Sequence, residues 1–551
     1  MPIGISGFIC YFAAMRKTLG IISVIIWLVS TTHCAKRGTP TGGAKDSIPP
    51  LLVNATPPRN SVNFDAEKVV MVFDEYIKLN DITNQLIVSP PMERSSYRIL
   101  PEGTVSKKVE IRFETPPRDN TTFTFNFGEA IEDFNEANPL PFFYYTFSTG
   151  EYLDSLTLSG TVKDAYSIDS LERISIHLYP IDSTYTDSTI FFQKPLYVGN
   201  TLDSIYFKLQ SLAPGKYEMI AINDVAKNYF FDQNVDKIGF FMDPIELPQD
   251  SLKFPVLFNE IPNFKWGRPR MVNAHHLEFG YYGSVENRRI QFSTEFEEAG
   301  QGFFTRDREK DTLHYWFLPQ EKLDSLVVGL DEIDSIRPVV IKPFKPIKDS
   351  LILKMEPRNN SYLHYLDTLR FESNLPIATV NEEYIRIFDI DTLDVPFSSS
   401  IDPNRDRVYI EFNRVPNDFY RLQILPNAIV DFLGATNDTL FKSVRTQAVE
   451  KYGTLNLTIE QSDESIPYFF EIVNSKGETV RKIAQQEENS YSIPYLLPGN
   501  YQIRLVKDLN NNGKWDTGNY LKKIQPEEVI YLPEALNLRA NWELNERFSV
   551  R

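Results

Sequence analysis

Apolar and polar residues alternate with a period of two along most of this chain. Val69 to Phe73 (VVMVF), Val109 to Phe113 (VEIRF), and Phe123, Phe125 and Phe127 separated by Thr124 and Asn126 each place every second side chain on one face. That is the pattern of a strand with one face in a core and one in water. His276 to Tyr282 (HLEFGYY) and Leu313 to Pro319 (LHYWFLP) read the same way. Long stretches of helical periodicity are absent, and 36 prolines outnumber 25 glycines. The expected fold class is all-β, built as tandem β-sandwich domains.

Two segments recur. VEIRF at 109–113 matches VYIEF at 408–412, and AIEDFNEAN (130–138) matches AIVDFLGATN (428–437). LAPGKYEMIAIND (212–224) matches LLPGNYQIRLVKD (496–508), and beyond it Asp224, Asn228, Phe231 and Asp232 fall in register with Asp508, Asn512, Trp515 and Asp516. Pro-Gly makes a tight turn, the tyrosine opens an alternating strand, and the aspartate ends it in a loop. A duplicated two-domain unit explains the order. The expected domains are sandwiches at 49–150 and 348–449, Pro-Gly modules at 151–250 and 450–551, and a β-rich middle segment at 251–347 that has no repeat partner. A chain of 551 residues calls for several cores in any case.

The exception to the alternation is Leu19 to Val29 (LGIISVIIWLV), an unbroken apolar run behind Arg16 and Lys17 and just ahead of Cys34. It is shorter than the roughly 20 residues of a bilayer crossing and fits the apolar region of a signal peptide. With Thr31, Thr32 and His33 before the cysteine, residues 1–34 read as a lipoprotein signal, with Cys34 as the site of lipidation and the true start at Met15. The alternatives are a plain membrane anchor or an ordinary cleaved signal. Residues 35–48, rich in Gly, Pro, Thr and Ser, read as a flexible tether. Cys10 lies ahead of Met15, so the exported body keeps no cysteine pair and must hold together through its cores. A net charge of −17 argues against a nucleic-acid partner.

Candidate chemistry is sparse. Asp508, Asn510, Asn512 and Asp516 place side-chain oxygens at alternating positions around Gly513, as a Ca²⁺ loop requires, but the twelfth position is Asn519 where an EF-hand has a bidentate glutamate. The competing reading is an Asn/Asp/Gly turn whose side chains satisfy local backbone groups. The equivalent loop, Asp224 to Asp236, lacks the counterparts of Asn510 and Gly513 and reads as a turn. The histidines, His33, His177, His275, His276, His314 and His364, form no HExxH, and no GxSxG occurs. Adjacent on a strand, His275 and His276 point to opposite faces, as core or surface residues unless one joins a metal site. The same alternation turns one member outward in each of Phe142-Phe143, Tyr144-Tyr145, Tyr281-Tyr282 and Phe230-Phe231, offering contacts to a second domain, a protein or a glycan ring.

The opening PPLLVNATPPRNSV (49–62), the strand running into Asp74 and Glu75, and AIEDFNEAN together resemble bacterial Ig-like domains of surface-layer and envelope proteins; the second copy departs in having Glu372 and Ser373 after Phe371. The Pro-Gly modules resemble the transthyretin-like, carboxypeptidase-regulatory-like sandwich. The whole, with its CAKRGTPTGGAKDSIPP opening, is similar to Bacteroidetes-type Ig-like lipoproteins. The resemblance implies a non-enzymatic protein lipid-anchored at the bacterial outer membrane, a scaffold or accessory subunit whose partner is an outer-membrane barrel or another envelope protein. A carbohydrate-binding lipoprotein of a glycan uptake system is the alternative, and an enzyme of glycan metabolism the third reading. Ala35, Lys36 and Arg37 lack the acidic cluster that resembles a surface-export signal, which leans the body to the periplasmic face.

Overall fold

The computed structural model describes residues 46–168, 173–201, 204–249, 252–253, 256–292, 302–318, 326–331, 336–341, 350–463 and 465–550. Cys34, the signal and most of the tether lie outside them. The described chain is a series of small, almost purely antiparallel sheets, and none of its helices is long and apolar enough to cross a membrane.

In the first sandwich, one sheet runs in the order Leu52–Thr56, Lys68–Leu79, Ser106–Phe113, Tyr97–Leu100, with Ile131–Asp133 added to the end of the long strand. Ile87–Ser89, Thr122–Asn126 and Tyr144–Ser148 make the facing sheet. The alternation lands as the pattern requires: Val69, Met71, Phe73, Val109, Ile111, Phe113, Phe123, Phe125 and Phe127 all share one core. Its second copy keeps the plan, with Leu353–Glu356, Leu369–Ser373, Arg407–Phe412 and Phe397–Ile401 in one sheet. Here the long strand is broken, and a separate strand, Ile377–Val380, takes the pairing with Ile429–Asp431.

The loops after these matched strands explain the repeated Ala-Ile-x-Asp-Phe. Asp133 accepts backbone N–H bonds from Glu136 at 2.6 Å and Asn138 at 2.8 Å, and Asp431 accepts them from Leu433 at 2.9 Å and Ala435 at 2.8 Å. Burial alone would raise the Asp133 carboxyl, but the N–H groups of Glu136, Asn138, Ala137 and Asn135 outweigh it and hold the group below the usual carboxylate range.

The two Pro-Gly modules share one topology. A sheet centred on Ser175–Pro180 and Gly215–Ile222 in the first corresponds to one centred on Tyr468–Asn474 and Gly499–Lys507 in the second. Facing it, Tyr206–Leu212, Leu156–Thr161 and Leu252–Lys253 correspond to Ser490–Leu496, Gly453–Gln461 and Glu543–Val550, and in both modules the last of these strands pairs in parallel. The motif tyrosine has the same task twice. Tyr217 donates to the carbonyl of Ala213 at 3.0 Å and Tyr501 to that of Leu497 at 2.6 Å, pinning the chain on either side of Pro-Gly. Strands Leu252–Lys253 and Phe258–Asn259 pair within the first module's sheets, so this module runs past the expected boundary at 250 to about residue 260.

The middle segment folds as two sheets around Trp266, Leu277, Phe279, Tyr281, Phe317, Val328 and Leu330. One contains His276–Tyr282, Thr312–Trp316 and Phe303–Arg306, the other Ile290–Phe292, Leu326–Asp331 and Ile336–Ile341.

Candidate functional site

Neighbouring sandwiches meet through specific contacts. Between the first sandwich and the first Pro-Gly module, Thr124 bonds Ser211 at 3.0 Å, the N–H of Val198 donates to Ser89 at 3.1 Å, and Lys194 pairs with Glu93 at 2.8 Å. This contact is why Thr124, on the expected solvent face of its strand, is buried. Between the second sandwich and the second Pro-Gly module, Tyr365 stacks on Tyr495 with ring centroids 4.9 Å apart, and the His364 ring bonds the Tyr495 carbonyl at 2.7 Å.

The unexpected contact joins modules far apart in sequence. Between strands Gly499–Lys507 and Val529–Tyr531 the second Pro-Gly module makes a long excursion, and its latter half lies on the outer face of the first module's sheet. Tyr520 is fully buried there with Tyr179, Ile220, Ile222, Ile238, Phe240 and Phe258, in a core to which both modules contribute. Its hydroxyl meets that of Tyr185 at 2.9 Å and Glu218 at 3.2 Å, while Lys523 reaches Glu218 at 2.9 Å and Asp187 at 3.1 Å. The Tyr520 N–H donates to the buried carboxylate of Glu260, Thr517 donates to the carbonyl of Asn259, and Gln525 donates to that of Phe240 at 3.0 Å. Burial raises Glu260 above the ordinary carboxylate range.

A second contact from the opposite direction completes this interface. Tyr166 of the first module lies against the buried ion pair of the second, Glu471 with Arg504 at 2.6 Å. The Tyr166 hydroxyl donates to Glu471 at 2.9 Å and accepts from Arg504 at 2.9 Å, and the guanidinium sits 3.7 Å from the centre of the Tyr166 ring. Burial pushes the phenol up to about 12. A buried ion pair is costly unless its remaining hydrogen-bonding positions are filled, and the first module supplies that partner.

The candidate Ca²⁺ loop is the root of this docking arm. Both oxygens of Asp508 accept backbone N–H groups, from Asn512 at 3.0 Å and Gly513 at 2.7 Å. Asp516 receives the side-chain amides of Asn510 and Asn512, the latter at 2.8 Å. Asn510 and Asn512 also accept from backbone N–H groups within the loop. Side-chain oxygens thus close the turn on itself, and an ion would require both amides to turn their oxygens inward. The sequence-equivalent Asp224 makes the matching bonds to the N–H groups of Asn228 at 3.2 Å and Tyr229 at 2.7 Å. Glu527 was not legible as part of the loop, because it lies beyond the motif and binds it only through space.

Against the second sandwich, the middle segment presents a polar face. Glu278 stands opposite His314 across the strand pair and His276 opposite Trp316, so period two puts all four on the side away from the core. His276 Nε2 lies 2.9 Å from His314 Nδ1, and its ring stacks on Trp316 at 3.8 Å and 10°. Burial lowers His276 to about 3. Its sequence neighbour His275 lies in the turn before the strand and points elsewhere, to the Phe317 carbonyl and the Phe432 ring; the partner of His276 is His314. Across a cleft of about 460 Å³ stand Ser373, Asn374, Pro376 and Asn404. Arg308 bridges the two domains to Asp402 and Asp406.

Tyr145 and Tyr281 are buried on their strands and Tyr282 is exposed, as alternation requires. Phe142-Phe143 and Phe230-Phe231 lie outside strands, so it is turn geometry, with Phe142 at φ 55°, that exposes Phe142 and buries Phe143 and Phe231. Phe142 and Tyr144 line a separate cleft with Lys208 and Gln210.

Residues 46–149 match the family model of the bacterial Ig-like domain. No curated protein matches the chain. Among solved structures it is similar to the Bacillus anthracis TIE protein, at 10% identity and a TM-score of 0.15 over 93% of this chain and 76% of that one. It is also similar to the major pilin subunit BcpA of Bacillus cereus, at 9% identity and a TM-score of 0.14 over 72% and 99%. For domains 1–6 of the surface layer protein SbsC the values are 8% and 0.17 over 89% and 67%. The described chain is a series of tandem β-sandwich domains, the first of which matches the bacterial Ig-like domain.

Proposed function

We propose that this chain is a non-enzymatic, Bacteroidetes-type envelope lipoprotein, held at the outer membrane by lipid on Cys34 and working as a scaffold or accessory subunit of an outer-membrane protein complex. The observation that carries this reading is the docking arm. By burying Tyr520 in the first module, it fixes the relative position of two sandwiches that the intervening domains would otherwise leave to drift. Sandwiches held in register suit a body that presents surfaces to a partner. A barrel or other envelope protein is the partner this reading calls for, and several acyl chains on one cysteine would hold the body firmly to the membrane.

The test is mild-detergent purification of the tagged full-length protein from its own membranes, beside the Cys34→Ser variant. The wild type should carry a lipid mass on Cys34 and bring down a barrel protein in near-equal amount; the variant should leave the membrane fraction. A wild type that emerges alone and without lipid sinks the reading.

Carbohydrate binding on a glycan uptake system is the second reading, favoured by one observation: Phe142 is exposed beside Tyr144, Lys208 and Gln210 in a cleft, a combination of aromatic face and hydrogen-bonding groups that suits a sugar ring. Loss of a saturable glycan affinity in Phe142→Ala would support it. In either reading Ca²⁺ is a further proposal for Asp508, Asn510, Asn512 and Asp516, where it would stiffen the root of the arm.

A further inference from the structure

We propose that His276, His314 and Glu278 form a binding site for a borderline divalent cation, zinc above all, with its open coordination position facing the cleft between the middle segment and the second sandwich. One ligand atom from each of the three lies within 4.8 Å of the others. The two imidazole nitrogens, His276 Nε2 and His314 Nδ1, face each other at 2.9 Å, and Glu278 Oε1 is 3.9 Å from His314 Nδ1. Tetrahedral zinc with Zn–N bonds of about 2.0–2.1 Å spaces its ligand atoms about 3.3 Å apart. The site therefore needs shifts of only a few tenths of an ångström at the histidine pair and a modest approach by the carboxylate.

What surrounds these atoms is also what a metal site requires. The far nitrogen of His314, Nε2, lies 3.3 Å from Asp307 Oδ2. Donating its proton there leaves Nδ1 with a free lone pair, the carboxylate–histidine–metal arrangement that orients ligands in known sites. His276 is held by the Trp316 ring against which it stacks. Arg270 holds Glu278 by its other oxygen, Oε2, at 2.6 Å, which leaves Oε1 directed at the histidines. Of the cations around the site, Arg270 is paired with Glu278, Arg308 with Asp402 and Asp406, and Arg407 with Glu372.

The ligand set also selects the ion. Two imidazoles and one carboxylate suit zinc and its neighbours in the first transition row, whereas Ca²⁺ and Mg²⁺ prefer sites made of oxygen. Facing imidazoles can share only one proton between them, so an ion displaces a single hydrogen bond. The sequence hid the site because its ligands come from two strands, with His276 and Glu278 two residues apart and His314 brought opposite Glu278 only by the sheet register.

The experiment uses the full-length, tag-free protein prepared free of metal, titrated with Zn²⁺ by calorimetry and with Co²⁺ by visible absorption. One equivalent should bind, with the intense d–d bands of tetrahedral Co²⁺, displaced by Zn²⁺. Glu278→Gln and His314→Gln should each weaken binding at least tenfold, Asp307→Asn by about 10- to 100-fold, and His275→Gln should leave it unchanged. Melting curves without metal establish that each variant is folded. Should His314→Gln lose the fold, Glu278→Gln on the sheet surface decides. Absence of stoichiometric binding, an octahedral Co²⁺ spectrum, or equal binding by folded Glu278→Gln would overturn the assignment.

Discussion

Asp236 and Glu527 make the same pair of hydrogen bonds in the two Pro-Gly modules, although no sequence register aligns them. Asp236 accepts the N–H of Val225 at 3.0 Å and that of Asp232 at 2.9 Å. Glu527 accepts the N–H of Leu509 at 2.8 Å and that of Asp516 at 3.0 Å. In each loop these are the residue after the opening aspartate and the closing aspartate itself. In the second module the docking arm lies between loop and carboxylate, and the longer glutamate side chain makes the same bridge.

Replacing either carboxylate leaves two backbone N–H groups without their acceptor. Glu527→Ala and Asp236→Ala should each lower unfolding stability by about 1–3 kcal/mol. Glu527→Gln, which keeps one acceptor oxygen, should cost less than Glu527→Ala, as urea denaturation will measure. Equal costs for the two Glu527 variants would mean that the one retained acceptor contributes nothing by itself.

Tyr520 is the anchor of the arm. Truncating a fully buried aromatic costs about 3–5 kcal/mol, and Tyr520→Ala should reveal its loss as earlier unfolding and as protease cleavage within 509–527. Tyr520→Phe keeps the ring and loses the hydroxyl's bonds to Tyr185, Glu218 and Asp187, so it should cost about 1 kcal/mol. Limited proteolysis of both variants beside the wild type reads this directly.

His177 sets an acid limit. It is fully buried with Nε2 2.8 Å from the Ser175 hydroxyl, and burial lowers it to about 3 from an ordinary 6.5. The folded state keeps it neutral while the unfolded chain takes up a proton below pH 6.5. Its contribution is therefore complete above that pH and is lost as pH falls toward 3, at about 1.4 kcal/mol per pH unit. Between pH 6.5 and 4.5 the wild type should lose about 2–3 kcal/mol more than His177→Gln, an amide that can meet Ser175 without titrating. His276 and His364 are depressed in the same direction, so the variant will flatten the profile only in part.

The loop at Asp508 separates a self-closed turn from a Ca²⁺ site by one melting experiment on the full chain. As a turn, it gives the same transition in Ca²⁺ and in chelator, and Asp508→Ala lowers that transition equally in both. As a Ca²⁺ loop, it gives a saturable rise with Ca²⁺ that Asp516→Ala abolishes.

Local pattern was enough for much of this protein. Period-two alternation located Val69, Met71, Phe73, Val109 and Ile111 in a core because a strand's side-chain direction is fixed by its own backbone. The Pro-Gly repeat was legible for the same reason, since Tyr217 and Tyr501 bond carbonyls only a few residues away. The turn at Asp508 was half legible: its oxygens and glycine were in the sequence, but Glu527, which bridges it from outside, was not.

Tertiary structure alone decided which modules touch and which polar residues meet. Nothing local marks Tyr520 as the anchor of a distant sheet, or His314 as the partner of His276, because each pairing is made by register and docking between segments remote in sequence. Local pattern carried most of the strands, the repeats and the inward or outward sense of side chains along those strands, quantities set within a few residues. The docking arm and the histidine cleft depend on burial and hydrogen-bond satisfaction shared between domains, and those forces act only once the chain has brought the surfaces together.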